Sequence, residues 1–190
     1  MVARPGALGP QVDVALTTAV VPFNDLDALD RRLAEGDVAC LLMEPALTNI
    51  GIVLPDDGYL AGVREVTRRH GVLLVNDETH TICAGPGGAT AAWDLEPDMV
   101  VIGKPIGGGI PVAAYGMTDE IASRLEGPML GHDIDVAGVG GTLSGSALAM
   151  AAVRATLSTA LRQEDFDVAI PLAESFTTGI QEVIDAHRLP

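Results

Sequence analysis

Aromatic side chains are scarce in this 190-residue chain, at 3% of the total, so a core built from it has to be aliphatic. Basic residues are scarce as well: 11 Lys and Arg stand against 26 Asp and Glu, a formal charge of -15. Such a surface repels a phosphate backbone and no basic stripe offsets it, which excludes a nucleic-acid partner. The two cysteines, Cys40 and Cys83, follow no metal-ligand spacing. They read as reduced thiols of a cytoplasmic protein, with Cys40 packed inside its apolar run. His70, His80, His132 and His187 also lack compact ligand spacing, so no metal is expected. No apolar run reaches membrane-spanning length, and Met1 to Gly6 leads into no signal segment. The expectation is a cytoplasmic chain with no membrane partner.

What is present is an aliphatic, glycine-rich globular composition, 48% apolar with 22 Gly and 12 Pro. A single domain of this length buries roughly 70% of its extended surface. Val14 to Val21, rich in Val and Thr, reads as a strand ended by Pro22. Asn24 or Asp25 caps a helix running to about Glu35, on which Leu26, Leu29 and Leu33 recur at helical spacing. Val38 to Met43 is the next strand, and Pro45, which lacks an amide, stops it just after Glu44. Asp56 or Asp57 is expected to cap a helix from Gly58 to His70, with Tyr59, Leu60, Val63 and Val66 as its apolar face and Gly71 as its C-cap. Later helices are read over Leu143 to Leu161 and over Phe166 to His187, the second broken or bent near Pro171. Strands and helices alternating at these lengths build a mostly parallel α/β sheet.

The stretch from Gly71 to Met117 carries the chemistry. Val72 to Asn76 is a buried strand that delivers Asp77 at its carboxyl end, where open α/β sheets place ligands. Met99 to Ile102 is a second such strand and delivers Lys104; Val112 to Tyr115 is a third, entered after Pro111. An amine and an acid at neighbouring strand ends suit an electron-poor organic cofactor such as pyridoxal phosphate. The amine forms a Schiff base with the aldehyde, and the acid keeps the pyridine nitrogen protonated so that the ring withdraws electrons. Glycines at 103, 107, 108 and 109 let the backbone come close to such a ring.

Each of these residues also has a plain structural reading. Lys104 fits a solvated turn, and Asp77 fits a loop cap. Thr142 either satisfies its own backbone or binds a phosphate beside a helix amino end near Leu143. His80, three residues beyond Asp77, is a polar loop residue or a contact to cofactor or substrate. Glu44 either holds neighbouring backbone or binds a positive group. A nucleotide P-loop is set aside because Gly103-Lys104-Pro105 has no Ser or Thr after the lysine.

An ordered set of motifs adds to this reading. Pro22-Phe23-Asn24-Asp25, Met43-Glu44-Pro45 with Asn49-Ile50-Gly51, the run Gly71 to Thr79, the run Pro97 to Val112, and Gly141-Thr142-Leu143-Ser144-Gly145 together resemble the class-III pyridoxal-phosphate aminotransferases. The resemblance is strongest to the branch of glutamate-1-semialdehyde 2,1-aminomutases. It implies an α/β fold, a partial PLP-dependent transferase large domain (aspartate aminotransferase-like, fold type I). Its four later strands would form the contiguous middle of the family's larger sheet, the last of them antiparallel. Residues 1–160 would be the partial large domain and 161–190 a linker with the start of the small carboxyl-terminal domain. The implied activity moves an amino group, as aminotransferase or aminomutase, between a small amino-group donor and a carbonyl acceptor. Lys104 matches the Schiff-base lysine and Asp77 the acid at the pyridine nitrogen. Thr142 matches the threonine reaching the phosphate of a cofactor held by the other subunit of a homodimer. Glu44 takes a supporting role. Thr79, with His80 beside it, occupies the slot where the family packs a valine on the ring.

The chain also departs from the pattern. Thr81-Ile82-Cys83-Ala84 replaces a threonine, glycine, aromatic and arginine, and Ser146-Ala147 replaces an asparagine and proline. These changes bear on substrate more than on cofactor. A phosphate loop and a stacking ring supplied by the family's amino-terminal half, and most of its small domain, are expected to be missing. Open sheet edges would follow. The alternative expectation is therefore a truncated non-catalytic remnant, or a half-enzyme needing a missing complementary chain.

Overall fold

A computed structural model of the chain describes residues 13–129 and 144–189. Helix α1 (Leu26–Leu33) begins as its sequence dictates, with Asp25 Oδ1 accepting from the Ala28 amide at 2.8 Å. Its Leu29 and Leu33 are buried against Tyr59, Val63 and Val66 of α2 (Tyr59–His70). Each such side chain contributes roughly 1.5–3 kcal/mol by leaving water. Phe23 meets Tyr59 edge-on with ring centroids 4.9 Å apart, so two of the few aromatic rings fasten the entry loop to α2. The start of α2 corrects the expected aspartate cap. Gly58 is the N-cap at φ 79° with no side-chain bond, and the Tyr59 amide donates to the Asp56 carbonyl at 2.9 Å. A left-handed glycine turns the chain where a capping carboxylate was expected.

Four strands, β1 (Cys40–Met43), β2 (Leu73–Asp77), β3 (Met99–Ile102) and β4 (Ala114–Met117), lie in the order β1-β2-β3-β4. The first two pairings are parallel and β3–β4 is antiparallel. The helices α1 and α2 cover one face, where Val72 and Leu74 are buried and Leu41 and Met43 pack against them. Side chains alternate along a strand, so Cys40 and Leu42 turn to the opposite face, and Leu42 is 62% exposed. Cys40 is thus exposed rather than packed inside: apolar neighbours in sequence did not fix which face it took. Beyond β1 and β4 no further strand pairs among the described residues.

The expected strand at Val14–Val21 is a single 3-10 turn, Val14–Leu16, capped by Asp13 and followed by irregular chain. Its β-branched residues find no neighbouring strand among the described residues, and Val20 is 73% exposed. Strand β4 begins two residues later than expected, at Ala114, because Val112 packs over the glycine turn: a Cβ at Gly107 would stand 2.6 Å from Val112 Cγ1. The remaining helices are α3 (Gly88–Ala92), α4 (Asp119–Met129), α5 (Ala147–Thr159) and α6 (Gln163–His187). Pro171 lies within α6 without ending it. Among the described residues no helix is long and apolar enough to cross a membrane, and no acidic, His or Cys cluster could hold a metal ion.

Candidate active site

Three adjacent strands end on one rim. β1 leads into Glu44, β2 ends in Asp77, and β3 leads through Gly103 to Lys104. Asp77 lies opposite Val101 in the parallel register, which sets Lys104 just beyond it on the neighbouring strand. Thr79 stands beside this connection: a Cβ at Gly103 would be 3.7 Å from Thr79 Cγ2. Asp77 is half-buried, and its Oδ1 accepts from the Thr79 amide at 2.9 Å. Its Oδ2 has no partner among the described residues, so one carboxylate oxygen remains available to a ligand.

Lys104 is the only lysine in the chain. Its φ of 47° is left-handed, a conformation costing a non-glycine residue about 1–2 kcal/mol. The surrounding turn, Lys104–Gly107, is held by fully buried Ile106 and by α5, whose Thr156 Oγ1 would lie 2.9 Å from a Cβ at Gly108. Lys104 Nζ is in hydrogen-bond contact with His80 Nε2. On the other side of the ring, His80 Nδ1 contacts Thr48 Oγ1, which donates to Glu44 Oε2 at 2.5 Å. Asn49 Nδ2 donates to Glu44 Oε1 at 3.2 Å, so both carboxylate oxygens are engaged.

Glu44, His80 and Lys104 therefore form one connected set, with Asp77 and Thr79 at the adjacent strand end and no direct bond between Asp77 and Lys104. Thr142 and His132 lie outside the described residues. Thr48 was not legible as a site residue. It reaches His80 because reciprocal amide bonds between Leu47 and Val53, at 3.0 and 2.9 Å, fold the loop back. Glu78 was missed too. Fully buried, it accepts from the Thr81 hydroxyl at 2.5 Å and from the amides of Ala89 at 3.0 Å and Thr90 at 2.5 Å, fixing the turn that carries His80.

Arg64 and Asp98 tie α2 to the sheet through two bonds of 2.8 and 2.9 Å, and Asp98 also accepts from the Leu74 amide at 2.8 Å. Burial pushes the Asp98 carboxyl up, but the guanidinium and the amide outweigh it and hold the group below the usual carboxylate range. A cleft of about 750 Å³ beside α2, lined by Leu60, Ala61, Arg64, Trp93 and Leu95, lies on the helix-covered side and contains none of the rim residues. The residues singled out in the sequence lie at the rim, not in that hollow.

Comparison with known proteins bears on the family and the fold. The family model for aminotransferase class-III matches residues 11–188. The glutamate-1-semialdehyde 2,1-aminomutase of Chloroflexus aggregans is 37% identical over 98% of this chain and 42% of its own length. That of Methanoculleus marisnigri is 43% identical over 80% of this chain and 36% of its own. The crystal structure of a glutamate-1-semialdehyde-aminomutase from Pseudomonas aeruginosa superimposes with a TM-score of 0.90 at 45% identity, covering 100% of this chain and 43% of that one. An omega-transaminase from Sphaerobacter thermophilus gives 0.78 at 29% identity, covering 97% of this chain and 42% of that one. The chain thus spans well under half the length of these relatives while keeping their α/β fold. It belongs to the class-III aminotransferases.

Proposed function

We propose that this chain carries the lysine and the ring-nitrogen acid of a pyridoxal 5'-phosphate site that moves an amino group between a small amino-group donor and a carbonyl acceptor, in the manner of a glutamate-1-semialdehyde 2,1-aminomutase. The observation that carries this reading is the sole lysine, held in a left-handed turn at a strand end and touching His80, beside an aspartate with an open Oδ2. These residues fit the cofactor: an amine for its aldehyde, an acceptor for its ring nitrogen, and a glycine connection that admits a flat ring. When bound, pyridoxal phosphate supplies the electron sink for the substrate carbon. Asp77 would accept the ring N–H and keep it protonated. Lys104 would hold the cofactor through its aldehyde carbon and would supply the amine that moves the proton at the substrate carbon. Thr79 would pack against the ring and Thr142 would bind phosphate across a homodimer. Glu44 would act through Thr48 and His80. Exposed free thiols at Cys40 and Cys83 favour a reducing, cytoplasmic setting.

A second reading is favoured by uncovered apolar surface. Leu42 is 62% and Tyr115 50% exposed on the strands, and on α6 Leu172 and Phe176 are 69% and 70% exposed. Of α6, only Phe166 is buried, in keeping with a segment that opens a second, smaller domain. Such a chain would work as a half-enzyme, completed by a second copy or by a complementary chain. Borohydride reduction in the presence of pyridoxal phosphate, followed by peptide mass mapping, tests the first reading. A cofactor-sized adduct on the Lys104 peptide, absent from K104A, is expected; an unmodified Lys104 peptide refutes it. Turnover of an amino donor by the solitary monomer at full rate would refute the half-enzyme reading.

A further inference from the structure

The contacts around His80 determine where its protons sit. Glu44 is the acceptor in both of its contacts, from Thr48 Oγ1 at Oε2 and from Asn49 Nδ2 at Oε1. Thr48 has a single hydroxyl proton and spends it on Glu44 Oε2 at 2.5 Å. Towards His80, Thr48 Oγ1 has only lone pairs left, so His80 Nδ1 must be the donor. A neutral imidazole carries one N–H; with that proton on Nδ1, Nε2 is a bare acceptor, and it faces Lys104 Nζ.

We propose that His80 is the proton partner of Lys104, held in its Nδ1–H form by Thr48 and Glu44 so that Nε2 receives the proton Lys104 must lose before its nitrogen can bond to carbon. The step balances within these residues. An N–H bond of the Lys104 ammonium breaks, its electron pair stays on Nζ, and the Nε2 lone pair takes the proton. The imidazolium so formed donates through both nitrogens, and its positive charge faces the Glu44 carboxylate, whose Oε2 lies 3.8 Å from Nδ1. The reverse transfer returns the proton to the amine. Thr48 and Glu44 are positioning residues: their bonds run to His80, Asn49 and each other, and neither is bonded to Lys104. The proposal rests on Lys104 as the reacting amine of the function above, and it deepens that reading by assigning the amine's proton.

The test uses readouts that need no cofactor. In protein labelled with 15N-histidine, the His80 ring, assigned by its loss in H80Q, is expected to carry its proton on Nδ1 where the imidazole is neutral. T48V removes the acceptor and is expected to move that proton to Nε2. Finding Nε2–H in the wild type overturns the proposal. The second readout is reductive capture of propionaldehyde at Lys104 with cyanoborohydride, followed by mass spectrometry of its peptide. H80Q presents an acceptor oxygen but cannot carry the proton. It should slow capture by about tenfold, below the roughly 10²–10⁴ typical of positioned bases, because solvent reaches the amine. Free imidazole should restore the rate in H80A. Capture by H80Q at the wild-type rate overturns the proton role. A wild type that captures propionaldehyde as expected but takes no pyridoxal phosphate defeats the cofactor reading alone.

Discussion

Replacing Glu78 with alanine should destabilise the chain more than any change to a rim residue. The carboxylate is fully buried and receives two backbone amides, from Ala89 and Thr90, besides the Thr81 hydroxyl. Alanine leaves both amides without that acceptor, Ala89 in a fully buried position and Thr90 in a partly buried one. At about 2 kcal/mol for each orphaned donor, the cost is about 4 kcal/mol. A chain of this size should then melt lower by about 8–16 °C. Gly88 supplies an independent check. It sits at φ 65°, and a Cβ there would lie 2.5 Å from Glu78 Oε2, so G88A should cost its left-handed strain of about 1–2 kcal/mol plus the displacement of the buried carboxylate. In the E78A background the obstructing oxygen is gone and only the strain should remain. The two substitutions should therefore couple in a double-mutant cycle by at least about 1 kcal/mol. Urea unfolding of the four proteins, with unchanged denaturant slopes, gives the cycle. If E78A lies within about 1 kcal/mol of wild type, the role assigned to Glu78 as the anchor of the His80 turn is wrong.

Three further outcomes follow from the same contacts. D98N should cost about 3 kcal/mol at neutral pH by leaving Arg64, its side chain only 16% exposed, against a neutral group. Because the folded-state carboxyl titrates below its unfolded value, this contribution is complete above the unfolded pKa of about 3.9 and is lost as pH falls through the lower folded value. The gap between wild type and D98N in urea titrations should thus close in acid, and a gap that widened there would contradict the assignment. D25A removes the acceptor of the Ala28 amide and should cost about 1 kcal/mol, read as a shift in urea midpoint. Cys40 and Cys83, both exposed, should react with a thiol reagent in the native state, and release of Cys40 only on denaturation would show that its face is covered.

Sequence patterns carry information at the range over which they act. Helix α1 and its Asp25 cap were legible because a cap and an i, i+3, i+7 leucine row are local. So were the strands that lead to Glu44, Asp77 and Lys104, since each is a short apolar run stopped by a polar or glycine residue. The family motifs then supplied the antiparallel direction of β4, which no local period contains. Cys40 shows the limit: strand alternation assigns it to one of two faces, and only the position of α2 decides which is covered. Val14 to Val21 had strand propensity but, among the described residues, no neighbour to pair with. The connection from Glu44 to Lys104 was illegible for a different reason. Thr48 and His80 are 32 residues apart and His80 and Lys104 are 24 apart, so their contact depends on strand order and on the Leu47–Val53 bridge.

The sheet surface left exposed among the described residues and the proposed chemistry of the rim are linked physically. Lys104 is exposed, and two unit charges 4 Å apart interact by only about 1 kcal/mol in water against about 4 kcal/mol at the effective dielectric of a protein surface. The same Glu44–Thr48–His80 connection therefore acts on Lys104 more weakly in an open chain than under a cover that excludes water. Leu42 and Tyr115 are exposed on β1 and β4, the two outer strands of the sheet that ends at this rim. A chain docking over them would bury apolar surface and lower the dielectric around the amine in one event. Binding of the cover and reactivity of Lys104 should consequently rise together, with the rim geometry already set by strand register, by buried Ile106 and by the Glu78 anchor.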